Sequence, residues 1–154
     1  MSRWTRLAAG AALVAVCFAA ARIVRGAQSA DAQNSAAQKA AAQKAAEQWL
    51  ALVDAGKYGE SWDQSAEVFK KALSRKDWQA TLKEKLPPLG RLESRKLIKA
   101  DTLRNVPGLP PGQYIGMQFA TSFAKSKSTA EVVVAVLEKD GQWRVLQYAV
   151  QPTP

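Results

Sequence analysis

The chain contains no histidine and a single cysteine among its 154 residues. It also lacks the glycine spacings that cradle phosphates. Without histidine, the side chain that titrates nearest neutral pH and the commonest metal ligand is missing. The one thiol, Cys17, lies in an N-terminal apolar run, so the remainder has neither a thiol nucleophile nor an internal disulfide. Neither GxGxxG nor GxxxxGK[ST] occurs, nor an Asp-x-Asp-x-Asp calcium loop. The expectation is a domain without cofactor or metal, held together by its core alone.

What is present begins with an export signal. Arg3 and Arg6 precede the apolar run Leu7–Ala21, Arg22 and Arg25 close it, and Ala19 and Ala21 supply the small-x-small spacing of a cleavage site. The run is shorter than the roughly 20 residues of a spanning helix. Extended through Ile23 and Val24, residues 7–24 form the alternative, an uncleaved anchor in the inner membrane. Both readings place the remainder outside the cytoplasm, in the periplasm or beyond.

The formal charge of +9 includes four arginines of residues 1–26, which leaves +5 for the rest. The basic residues alternate with acids, as in "KEK" and "RKLIKA", and are not interleaved with aromatics, so no nucleic-acid face is expected. A solvated basic surface accounts for them; electrostatic contact with an anionic lipid or polymer is the other use.

Residues 27–42 are rich in Ala and Gln and read as a tether or helix start, and residues 43–152 as a single domain. Ala42, Ala45, Trp49, Leu52 and Val53 form an apolar stripe at helical spacing that should stop near Gly56. Gly59 should let the chain turn, and a second helix from about Ser61 should carry Trp62, Ala66, Phe69 and Leu73. Ser74 caps a third helix, which Pro87-Pro88 end. Alternation follows. Leu92–Leu103 reads as a strand with Lys and Arg on its wet face, and "NVPGLPPG" as a loop. Residues 114–123 form a half-buried strand, Lys125–Ser128 a turn, and two further strands flank Lys139-Asp140-Gly141, an expected type I′ hairpin. Helices first and antiparallel strands last make an α+β domain with a roughly four-stranded sheet. Val132, Val134 and Val136 on one face and Val133, Ala135 and Leu137 on the other leave a second apolar face to be covered by a curled sheet, a lid or the second subunit of a homodimer.

"WLALVDAGKYGESWDQSAEVFK" at 49–70, "PLGRLESRKL" at 88–97, "GQYIGMQFATSFA" at 112–124 and "EKDGQWRVLQY" at 138–148 stand in an order and spacing that resemble domain-of-unknown-function family 4019 of exported bacterial proteins. The resemblance implies a cystatin-like or NTF2-like fold, with helices in the hollow of a curved antiparallel sheet. It implies no chemistry, because no biochemical role is established for the family.

Pockets of such folds isomerise small apolar molecules with a buried carboxylate and a tyrosine donating to an oxyanion. Asp54 or Glu131 would then be the base, and Tyr58, Tyr114 or Tyr148 the donor. The plainer reading makes Asp54 a helix-end residue, Glu131 the exposed start of a strand and the tyrosines packing residues. Trp62, Trp78 and Phe119 either fill the core or line a pocket for an apolar ligand. Arg95 reads as one half of an ordinary ion pair. The expected function is a non-catalytic envelope protein that binds a partner protein or a small apolar ligand; the alternative is a small isomerase.

Overall fold

The computed structural model describes residues 14–104 and 106–153, with side-chain surroundings from residue 31 onward. Arg3, Arg6 and the start of the apolar run lie outside the described residues. The chain divides into two units, residues 1–37 and 38–154. The described part of the first is entirely α-helical, and no described helix is long and apolar enough to cross a membrane. Helix α1 spans Val14–Asp54, so the Ala/Gln-rich stretch is helix rather than extended tether. Its end is a Schellman motif: the amides of Gly56 and Lys57 reach back to the carbonyls of Val53 and Leu52, with Gly56 at φ +73°.

The expected second helix is two short ones, α2 (Tyr58–Asp63) and α3 (Glu67–Ala72). Tertiary bonds break it. Ser65 Oγ accepts from the Trp49 indole, and the Ala66 amide donates to the Val145 carbonyl on the sheet edge, which holds Ala66 extended. Gly59 lies within α2 and makes no turn; it is buried beneath the side-chain ends of Arg75 and Gln79, which a Cβ there would overlap. Helix α4 (Arg75–Lys85) starts as expected, with Ser74 Oγ accepting from the Asp77 amide, and a 3₁₀ turn at Pro87–Leu89 ends the helical layer.

Strands β1 (Leu92–Leu103), β2 (Tyr114–Phe123), β3 (Ser126–Leu137) and β4 (Trp143–Pro152) form one antiparallel sheet in that order. With the helices before it, the domain is α+β. The β2–β3 hairpin is tighter than expected, since Phe123 already pairs with Ser126. The β3–β4 loop differs from type I′. Gly141 N–H donates to Glu138 O and Glu138 N–H to Gln142 O, with Gly141 at φ +78°, the three-residue class with a bulge.

The main core lies on one sheet face. Ile115, Met117, Phe119, Val133, Ala135 and Val145 meet Trp49, Leu50 and Val53 of α1 and Trp78 and Leu82 of α4. On the other face Tyr114, Val134 and Leu146 form a smaller cluster with Val106 and Leu109. The proline loop thus covers one end of the second apolar face, while Val132 stays 37% exposed beyond it.

Replacing Gly56 by Ala forces an L side chain into the left-handed conformation and should cost about 1 kcal/mol. Urea unfolding should show a lower midpoint with an unchanged slope. A wild-type midpoint would mean that the corner relaxes without the Schellman geometry.

Candidate functional site

Arg95 is the residue that the strand pattern misplaces. In register it stands opposite Thr121, on the face carrying Leu97, Phe119 and Val133, so it points toward the helices and not toward solvent. A bulge between Leu97 and Lys99 then shifts the alternation and leaves Ile98 outside, 57% exposed. An arginine on the core face must find acids there, because an unpaired buried charge costs several kcal/mol.

It finds two. Nε and Nη2 of Arg95 donate to Glu131 Oε2 and Oε1 at 2.6 and 3.1 Å. Nη1 and Nη2 donate to Asp54 Oδ2 and Oδ1 at 2.7 and 3.0 Å. One planar guanidinium thus makes two bidentate forks, a geometry lysine cannot supply. Glu131 is completely buried, and contrary to the plain reading of an exposed strand start it is saturated: Thr121 Oγ1 donates to Oε2 and Tyr148 OH to Oε1, each at 2.6 Å. Asp54 closes α1 with its side chain 22% exposed. Burial disfavours the Arg95 charge, but the bonds it donates to Asp54 and Glu131 outweigh it and raise the guanidinium pKa above its ordinary value. Burial and then the Glu131 charge push the Tyr148 phenol up, so it remains a donor.

Of the residues proposed from sequence, Asp54, Glu131 and Tyr148 come together, joined by Arg95 and Thr121. Tyr58 packs against the main core from α2, and Tyr114 lies on the opposite sheet face, donating to the Pro110 carbonyl. Trp78 and Phe119 are core residues, 4% and 1% exposed, and the Trp62 indole donates to the Leu73 carbonyl. Two buried serines that no spacing pointed to organise the aromatics. Trp49 Nε1 donates to Ser61 O and Ser65 Oγ, and Trp78 Nε1 to Ser61 Oγ. Tyr148 packs 5.4 Å from Trp49 and 6.2 Å from Trp78, ring centre to ring centre, so it belongs to both the aromatic and the ionic group.

A separate cleft of about 640 Å³ opens between α1 and the β3–β4 loop. Trp49 and Trp143 give it aromatic walls, Ala41 and Ala45 leave it room, Gln48 and Gln142 supply amides, and Lys44, Asp63 and Arg144 bring charges of both signs. No group of three or more acids suited to a metal ion occurs among the described residues.

The ionic group yields a stability test. Arg95→Met leaves Glu131 buried without its cation and should destabilise by roughly 3–5 kcal/mol. Arg95→Met with Glu131→Gln removes both charges and should recover part of that loss, a coupling read from chemical denaturation of the four cycle members. Additive losses would mean that the two side chains act independently.

No curated protein and no solved structure matches the chain. The family model described as "Protein of unknown function (DUF4019)" matches residues 45–148, from the second half of α1 to the tyrosine that bonds Glu131, and the chain belongs to that family.

Proposed function

We propose that this is an exported, non-catalytic binding protein whose α1/β-loop cleft receives a side chain of a partner protein or a small apolar ligand. The saturation of Glu131 carries the reading. A catalytic carboxylate must exchange a proton with substrate, whereas both oxygens of Glu131 already accept two bonds each from Arg95, Thr121 and Tyr148. Tyr148, the one candidate oxyanion donor beside it, is spent on that same carboxylate. The isomerase alternative would require Arg95 to release Glu131 in the bound state. The cleft, by contrast, is lined by none of these groups; it sets the aromatic rings of Trp49 and Trp143 beside amides and the charged ends of Lys44, Asp63 and Arg144, so an apolar body can lie against the rings while a polar end is held.

The export reading keeps its two forms, a cleaved signal or an anchor over residues 7–24. Native mass spectrometry of the full chain extracted from its own envelope should show a retained ligand or partner. Trp143→Ala with Gln48→Ala should lose it while the fold is kept. A bare monomer from gentle extraction would overturn the proposal; a dimer unaffected by the cleft variant would assign the partner to a second copy bound elsewhere.

A further inference from the structure

Residues 67–91 hold seven Lys and Arg against three acids, so α3, α4 and the turn after them carry a net +4 of the +5 found outside residues 1–26. Ion pairs take only Lys70, with Glu67, and Arg75, with Asp63. Among the described residues Lys71, Lys76, Lys83, Lys85 and Arg91 pair with no acid.

These cations are not evenly spread around α4. Arg75, Gln79 and Lys83 recur every fourth residue and form one stripe, with Lys76 beside it, while Asp77 and Glu84 fall on the other flank. The stripe faces the α1–α2 corner across a notch of about 230 Å³, whose other wall is Gly56–Glu60. Here the glycines acquire a purpose. Because Gly59 has no side chain, the ends of Arg75 and Gln79 stand directly over the α2 backbone. Lys57 is bound to Glu60 at 3.3 Å and the Nε and Nη2 of Arg75 to Asp63, so those two acids cancel those two cations. The Nη1 of Arg75, the Gln79 amide and the Lys83 ammonium remain as donors, and Lys76, outside the lining of the notch, adds charge on the same flank of α4.

We infer that this notch is an anion site that binds a phosphate group. The donors left over decide the class. The fork of Arg75, which would serve a carboxylate or a phosphate equally, is already taken by Asp63; what remains are single donors and an ammonium point charge, which a phosphate, with its three or more acceptor oxygens and higher charge, can engage from several directions at once. The phosphate comes either from a soluble compound or from an anionic lipid headgroup. The notch shares no residue with the α1/β-loop cleft, so neither proposal depends on the other.

The test uses the full chain, ¹⁵N-labelled in neutral detergent and titrated with inorganic phosphate and with glycerol phosphate. In parallel, it is mixed with phosphatidylcholine vesicles with and without phosphatidylglycerol. The amides of Gly56, Gly59 and Gln79 should shift. Lys76→Gln with Lys83→Gln should weaken the response roughly tenfold, whereas Lys125→Gln with Lys139→Gln, the same charge change elsewhere, should not. Shifts with the soluble probes identify a phosphate compound; shifts of the same amides only with phosphatidylglycerol identify a headgroup. Silence with every probe, shifts scattered over all lysine-bearing surfaces, or equal weakening by both variants would overturn the inference. A spectrum otherwise unchanged in the variants shows that the fold is intact.

Discussion

The architecture turns on one guanidinium. Arg95 lies on an edge strand, Glu131 on the strand two positions across the sheet and Asp54 at the end of the helix that covers them, so a single side chain joins three elements. A buried ion pair of this kind gains little net stability over well-packed apolar residues, because both charges must first be stripped of water. Its effect is on uniqueness. If β1 slipped by one residue, Arg95 would move to the outer face and leave Glu131 buried and unpaired, a penalty no apolar core imposes as sharply. The charge on Asp54 sits at the C-terminal end of α1, where the helix dipole disfavours an anion and no basic residue of the last turn offsets it. The fork from Arg95 supplies that compensation, so the helix end is electrostatically comfortable only when docked on the sheet.

Tyr148 extends the constraint into the apolar core. Its hydroxyl is fixed by Glu131 and its ring by Trp49 and Trp78, while those indoles are fixed by Ser61 and Ser65. Each aromatic therefore brings a polar handle that is satisfied internally, and every buried side-chain nitrogen and oxygen among the described residues has a partner. The same bonds interrupt the helical layer between α2 and α3. Local periodicity favoured one helix through Ser65 and Ala66, yet a carbonyl on β4 and an indole on α1 compete for that backbone and hydroxyl, and they win.

How much of this could be read beforehand follows from the range of the forces. Caps, proline stops and strand alternation act over a few residues, so the end of α1, the start of α4 and the four strands were legible. The β3–β4 loop was misread because Asp-Gly fits more than one turn, and the choice is made by register across the hairpin. Arg95 was misread for a similar reason. A strand with arginine among lysines looks wet on that side, and only Thr121, Glu131 and Asp54, brought from 26, 36 and 41 residues away, show that it faces inward. Asp54, Glu131 and Tyr148 were legible as chemistry-bearing types, but their mutual saturation was not, since it depends on a cation classed as ordinary.

The ten residues of "VDAGKYGESW" gather these themes at one corner. Asp54 meets the guanidinium, Gly56 closes α1, Gly59 admits the side chains of α4, and Ser61 receives an indole hydrogen bond while Trp62 donates to the carbonyl at the end of α3. An isolated corner with two glycines would be floppy, because glycine loses the most entropy on ordering. Here Gly56 is held at positive φ by the two hydrogen bonds that close α1, and Gly59 by the side-chain ends of Arg75 and Gln79, contacts that no larger residue permits, so the flexibility that glycine brings is removed. That is why the corner can present a fixed wall to the α4 stripe despite lying on the surface: its rigidity comes from the ionic group on one side and the serine-bound indoles on the other.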